Sequence, residues 1–495
     1  MPSIFESFVQ FLTPAHVIYL VYALNFVIAL GLIFIDRKTP TATLAWIMVM
    51  FLLPYIGLIL YLILSQNIAR RKIYKINEET EATGSFLLNE QKNNIRNRIT
   101  ESQNRILHKW REMVIMNIDY SNSLLTMNSD IDLICDGKEM FERLCDDISK
   151  AKYTVKLQYF IVKDDYVGNK LLQVLTKKAK EGVKVRLLLD AMGSRSISEL
   201  DLSEFKKAGG EYALFFKPRF RHLFINFNYR NHRKLAIIDN EIGYIGGYNI
   251  AKEYLGYKKK FGYWRDTQLV IKGNSIVALN EQFYLDWFCA NKDDENFNFL
   301  EHSVKYSYKK NAGDIPIQIV SCGPESPKEE IKLAFMKMIN GAKKNIHIQT
   351  PYLVPDEPVL ESLCMAARSG VDVKIMIPCM PDHPFVYRTT LYNAGRLIKE
   401  GAKIYIYNNG FLHAKTLTVD GEVSTVGSAN FDIRSFKLNF ESNAIVYDDR
   451  FTHKMDSQFK EDLKYCTEYT EEDRNNITRK EKMLESISRL LQEIM

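Results

Sequence analysis

Two stretches of this chain carry the same reactive side chains in the same register. Residues 230–249 hold His232, Lys234, Asp239, the pair Gly246-Gly247 and Asn249, and residues 412–430 hold His413, Lys415, Asp420, the pair Gly427-Ser428 and Asn430. This is the set that an anionic phosphodiester demands: cations and amide donors for its non-bridging oxygens, a nucleophile, and an acid for the departing alkoxide. Lys234, Lys415, Asn249 and Asn430 suit the first task. His232 and His413 suit the other two, because imidazoles with an ordinary pKa of about 6.5 can be neutral in one copy and protonated in the other near neutral pH. One imidazole would form a phosphohistidine, while its partner protonates the leaving alcohol and then deprotonates the incoming one. Such a scheme calls for no metal and no other cofactor.

One His-x-Lys-x4-Asp match is an ordinary coincidence in a long chain; two matches with the same continuation are not. Side chains two apart on a strand share a face, so each His stands beside its Lys. Apolar, β-rich residues follow (235–238 and 417–419), and the Asp then opens a turn, most plainly at Asp420-Gly421. The small pair ending the next strand reads as a place where backbone can approach a ligand. For Asp239 and Asp420, a scaffolding role at the turn and a direct catalytic role both fit the position.

The duplicated motif resembles that of the phospholipase D superfamily. Four segments, Asn231-His-Arg-Lys, Tyr263-Trp-Arg-Asp, Gly410-Phe-Leu-His-Ala-Lys and Ser428-Ala-Asn-Phe-Asp-Ile-Arg-Ser-Phe, the last followed by Asn439 and Glu441, are similar to bacterial cardiolipin synthases, and the similarity runs through nearly the whole chain. The resemblance implies two similar α/β lobes related by pseudo-twofold symmetry, with the two His face to face. It also implies transfer of a phosphatidyl group from one phosphatidylglycerol to another, with cardiolipin and glycerol as products. In the family a carboxylate downstream of each motif orients the far imidazole nitrogen, which falls here on Asp266 and Glu441, and the wider superfamily assigns the nucleophile to His232. A phospholipase-D-type hydrolase, or a phosphatidyltransferase with another alcohol, would use the same residues. A nuclease, with nucleic acid as partner, is disfavoured by the apolar N-terminal runs, and a silent scaffold by the intact motifs. The residues assign no oligomeric state.

The elements that must position these groups follow from patterning. At 495 residues, 46% hydrophobic and 25% charged, the chain is globular and long enough for two or three domains, and a net charge of +6 argues only weakly for an anionic partner. Seven scattered cysteines, odd in number and without Cys-x-x-Cys spacing, read as reduced thiols. Residues 7–35 and 41–68 lack Asp, Glu, Lys and Arg; each run exceeds the roughly 20 residues that cross a bilayer core. An all-α transmembrane hairpin over 1–68, with Pro54 tolerated inside its second span, is expected. Arg70, Arg71, Lys72 and Lys75, against Arg37 and Lys38 in the loop, place the rest on the cytoplasmic side of the cell membrane and could meet anionic headgroups. Residues 69–125 read as a polar helical connector. An α/β rhythm then fills a first lobe over 126–310 and returns in a second over 311–495, as helix 139–151, strand 154–161, helix 169–181 and strand 183–189, then helix 329–342, strand 345–349, helix 358–369 and strand 371–377. The basic, aromatic loop 217–227 suits a lipid headgroup, nucleic acid or an ordinary loop, and 381–388 reads as lining the site from the other side. In 480–495, Leu484, Ile487, Leu491 and Ile494 have the spacing of a helix docked on the core by its apolar face.

Overall fold

The computed structural model describes residues 14–36, 40–64, 89–90, 92–97, 104–197, 199–216, 228–291, 312–490 and 492. The basic cluster at 70–75, the loop 217–227, Arg37 and Lys38, and Leu491 and Ile494 lie outside them. The N-terminal helices and the bulk of the chain form separate compact units.

In the N-terminal unit, helix Pro14–Gly31 continues through a wider turn to Asp36, and Ala15–Phe34, at a mean hydropathy of 2.4, is long and apolar enough to cross a membrane. The second apolar run is not one helix. It divides into Pro40–Leu52 and Pro54–Leu64, because Pro54 has no N–H to donate and its ring crowds the carbonyl four residues back. That carbonyl belongs to Met50, and the buried amide of Asn25 donates to it at 2.8 Å and to Pro54 O at 3.2 Å. A polar side chain thus serves the backbone that the proline leaves unpaired.

In the larger unit the first lobe contributes β1 (Leu125–Ile134), β2 (Thr154–Tyr159), β3 (Lys184–Asp190), β4 (Glu211–Phe215), β5 (Arg230–Asn231), β6 (Leu235–Ile238), β7 (Ile242–Gly246), β8 (Trp264–Arg265) and β9 (Gln268–Gly273). The second contributes β10 (Ile315–Cys322), β11 (Asn345–Gln349), β12 (Leu353–Val354), β13 (Asp372–Pro378), β14 (Lys403–Tyr407), β15 (Phe411–Leu412), β16 (Thr416–Val419), β17 (Val423–Gly427), β18 (Phe431–Asp432), β19 (Asn439–Val446) and β20 (Cys466–Tyr469). β2-β3-β4 and β11-β13-β14 are parallel, joined by helices Tyr166–Lys180, Glu199–Lys207, Glu357–Arg368 and Pro384–Lys399. β6-β7-β9 and β16-β17-β19 are antiparallel and complete each half. The strands buried on both faces mix apolar residues with polar ones: β2 buries Lys156 and Gln158, and β19 buries Asn439, Glu441, Ser442 and Asn443.

The halves join through β1 and β10, which pair antiparallel with Leu125 opposite Gln318. One sheet of sixteen strands results, ordered β20-β14-β13-β11-β16-β17-β19-β10-β1-β9-β7-β6-β2-β3-β4, with β5 paired to β19 off this path. Reading outward from the central pair gives matching elements on both sides, with β20 an extra edge strand on the second lobe, which is the pseudo-twofold relation. The expected polar connector is in part core: helices Arg105–Lys109 and Arg111–Ser121 bury Ile106, Leu107, Trp110, Met113, Val114 and Ile118 in the second lobe. Trp110 Nε1 donates to Glu422 at 3.2 Å and Asn117 to Gln318 at 3.0 Å. Its scattered apolar residues have a stripe's spacing over this shorter span, which the polar residues before it conceal.

Candidate active site

Two short parallel pairings cross from lobe to lobe and set the site. β5 pairs with the start of β19, Asn231 opposite Phe440, and β8 pairs with β15, Arg265 opposite Leu412. The next residue along each strand is a motif histidine on one side and a carboxylate on the other. His232 N–H donates to Phe440 O at 2.9 Å, and His413 N–H to Arg265 O at 2.7 Å. His232 Nδ1 therefore lies 2.9 and 3.0 Å from the Glu441 oxygens, and His413 Nδ1 lies 2.6 Å from Asp266 Oδ2. Each acid holds the histidine of the other lobe, not that of the motif it follows in sequence. With Nδ1–H on a carboxylate, Nε2 of each ring is left as the reactive nitrogen.

In the first lobe the small pair makes room for the acid. A Cβ on Gly247 would come within 2.0 Å of Asp266 Oδ1, so the missing side chain admits the carboxylate, where the sequence suggested room for a ligand. Gly247 N–H and Ser428 N–H donate to Thr267 O and Ser442 O at 2.9 and 3.0 Å, equivalent bonds in the two halves.

Lys234 and Lys415 are almost fully buried, and each donates to the carbonyl of its own motif histidine. Lys415 Nζ also lies 2.9 Å from His413 Nδ1 and 3.9 Å from Asp266. Burial, opposed by Glu441 and reinforced by Lys415, pulls Lys234 down to about 7, and burial lowers Lys415 against the pull of Asp266 and Glu441. Burial and Lys415 bring His413 down to about 4, while burial, only partly offset by Glu441, lowers His232. Burial pushes Asp266 and Glu441 up, but Lys415 and His413 beside the one, and His232 and Lys234 beside the other, outweigh it and both stay low. Burial thus works against protonation of both imidazoles, and the neighbouring cationic groups work against protonation of both carboxylates. Lys415 depresses both His232 and Lys234 of the opposite lobe, so the half-sites share one field.

Aromatic walls limit water. Phe160 meets His232 edge-on at 5.0 Å, and Trp264 tilts against His413 at 5.1 Å. Asn249 Oδ1 accepts from Ile161 N–H at 3.0 Å and its Nδ2 donates to Tyr254 at 3.0 Å, while Asn430 Nδ2 donates to Asp432 at 3.3 Å. An amide nitrogen has two protons, so each asparagine keeps one for another acceptor. Of the 381–388 stretch, Asp382 accepts from the half-buried Tyr352.

The motif aspartates correct their place among the catalytic groups. Seven residues of extended chain span roughly 20 Å, and Asp239 and Asp420 sit at the far end of their strands in left-handed turns, with φ of 49° and 57°. Asp239 accepts from the N–H groups of Lys152, Tyr153 and Thr154 at 2.7, 2.7 and 2.8 Å. Asp420 accepts from those of Lys343, Lys344 and Asn345 at 3.0, 2.7 and 3.2 Å, and from Lys109 Nζ at 3.0 Å. They clamp the starts of β2 and β11.

Sequence reasoning missed a second pair of brackets. Arg233 donates to Glu441 O at 3.1 Å and to both Asp286 oxygens at 2.7 Å, and Gln158 donates to Asp286 at 2.5 Å. In the other half Arg265 donates to Asp266 O and, at 2.9 and 3.1 Å, to Asp462, to which Gln349 donates at 2.7 Å. A buried arginine thus grips the carbonyl of each histidine-holding acid. The available signal was an acid on a buried helix face, Asp286 on Ile276–Ala290 and Asp462, beside Asp456, on Asp449–Leu463.

The doubled lobe and its crossed half-sites define a phospholipase-D-like protein. The crystal structure of phosphatidylserine synthase from Haemophilus influenzae Rd KW20 shares the fold, with a TM-score of 0.63 at 13% identity over 78% of this chain and 100% of that one. Residues 144–287 and 335–463 match the family described as cardiolipin synthase, PLD-like domain, and 23–66 match a phospholipase D-nuclease N-terminal family. The chain is 42% identical to the major cardiolipin synthase ClsA of Bacillus subtilis (strain 168), over 96% of this chain and 98% of that protein. To the cardiolipin synthase of Clostridium perfringens (strain 13 / Type A) it is 43% identical, over 93% and 96%. It belongs to the cardiolipin synthase family of phospholipase-D-like proteins.

Proposed function

We propose that this enzyme is a phosphatidyltransferase that makes cardiolipin, moving a phosphatidyl group from one phosphatidylglycerol to a hydroxyl of another and releasing glycerol. The observation that carries the reading is the pair of motif imidazoles, each with Nδ1 on a carboxylate of the opposite lobe. His232 Nε2 attacks phosphorus, the bond to the glycerol oxygen breaks, and His413 gives that oxygen its proton. His413 then takes the proton of the second phosphatidylglycerol's hydroxyl, whose oxygen displaces His232 from phosphorus. Lys234, Lys415, Asn249 and Asn430 hold the non-bridging oxygens; Glu441 and Asp266 orient the rings.

His413 must be protonated to act as acid, yet burial and Lys415 hold it at about 4. A phosphodiester charge at about 4 Å and an effective dielectric of about 20 contributes roughly 4 kcal/mol, against about 1.4 kcal/mol per pKa unit. Substrate binding is thus enough to restore the proton. The two apolar N-terminal segments are proposed to span the membrane twice, with the lobes cytoplasmic, as the basic residues at 70–75 favour.

The test is incubation of the purified protein with phosphatidylglycerol in detergent and a chelator, with mass analysis of products. Cardiolipin and glycerol in equal amounts are expected, and both lost in His232→Ala and in His413→Ala. Phosphatidic acid and glycerol without cardiolipin would make the enzyme a hydrolase.

A further inference from the structure

The C-terminal helix Arg479–Leu490 docks the wrong way round for a helix that packs by its apolar side. Its buried residues are Glu485 and Ser488. Arg474 pairs with Glu485 through bonds of 2.7 and 2.6 Å, and Arg489 donates to Tyr392 at 3.0 Å. The apolar side chains face out: Met483, Ile487 and Leu490 are 58%, 45% and 68% exposed. Their spacing of four and three residues puts them on one stripe. Arg479, Lys480 and Lys482 flank this stripe and are exposed, with the exposed Ser486 and the half-buried Leu484 beside them. A helix that gives up the burial of three large apolar groups in water has another surface to bury them in.

We infer that this face lies on the surface of an anionic bilayer, with Met483, Ile487 and Leu490 in the headgroup–acyl boundary and Arg479, Lys480 and Lys482 on phospholipid phosphates. The charge decides between occupants. Two copies meeting through this face would set three cations of one against three of the other, whereas acidic phospholipids attract all of them. Basic residues beside an apolar stripe are the pattern of helices that lie in an interface. The contact would hold the catalytic lobes against the plane from which a lipid headgroup must be drawn, independently of what reaction follows.

The test uses the full chain in lipid nanodiscs, with a benzophenone side chain placed at Ile487 or, as control, at Glu481, which is exposed but lies off the apolar stripe. Irradiation is expected to give phospholipid adducts at 487 and few at 481 when the discs contain phosphatidylglycerol. Lys480→Glu and Lys482→Glu each lower the yield at 487 about fivefold with an unchanged melting temperature, since both side chains are exposed. Equal adducts at the two positions, no lipid adduct at 487, or a protein–protein adduct at 487 marking a second copy would each overturn the proposal. The readout counts adducts and not turnover, so it stands apart from the proposed reaction.

Discussion

Glu441 receives Nδ1 of His232 at 2.9 and 3.0 Å, although 209 residues separate them. Asp266 and His413, 147 apart, repeat the relation with the lobes exchanged. Neither motif histidine finds its carboxylate in its own lobe, so each half-site exists only when both lobes have folded and docked. The His232 ring and its acid should then behave as one device. Glu441→Gln is expected to lower turnover by about 10² to 10⁴, and adding Glu441→Gln to His232→Ala should cost little more. Turnover of the single and double variants checks this; independent, multiplying losses would separate the two residues.

The clamps at Asp239 and Asp420 predict a different phenotype. Each carboxylate holds three consecutive N–H groups at a strand start, far from the reacting atoms. Asp239→Asn or Asp420→Asn is expected to cost about 1–3 kcal/mol of stability while folded enzyme keeps most of its turnover. A urea midpoint measured beside the activity of the folded fraction distinguishes this from a catalytic role, in which turnover falls and the midpoint stays.

Anion binding should take up protons. Lys234 is held at about 7 by burial, so at pH 8 most of it is neutral. A bound phosphate raises its pKa and draws a proton from the buffer. Calorimetry with inorganic phosphate at pH 8, in two buffers of different ionisation enthalpy, is expected to show net uptake, with affinity falling as pH rises above 7. Lys234→Met should reduce the uptake.

His413 also shapes stability. Its pKa falls from about 6.5 in the unfolded chain to about 4 when buried, so the unfolded state binds the extra proton between these values. The stabilising contribution is complete above 6.5 and is lost as pH falls towards 4, reaching a few kcal/mol in all. The urea midpoint should therefore drop more steeply between pH 6.5 and 4 in the parent protein than in His413→Gln.

The chain's local chemistry determined much of this protein. The doubled His-x-Lys-x4-Asp motif, the repeated α/β order and the apolar N-terminal runs are short-range patterns, and they suffice for the lobes, the strand-end aspartates and the identity of the two histidines and lysines. The family resemblance also pointed to Asp266 and Glu441 but not to which histidine each serves. That was decided by the register of β5 on β19 and β8 on β15, a contact between lobes. The same holds for Arg233 and Arg265, whose partners come from distant helices, and for residues 104–121, whose apolar stripe acquires meaning only against the second lobe. The C-terminal helix went against its own pattern because Arg474 and Tyr392 offered partners for its polar side. Spacing along a chain fixes which side chains share a face; only the packed chain fixes what that face meets.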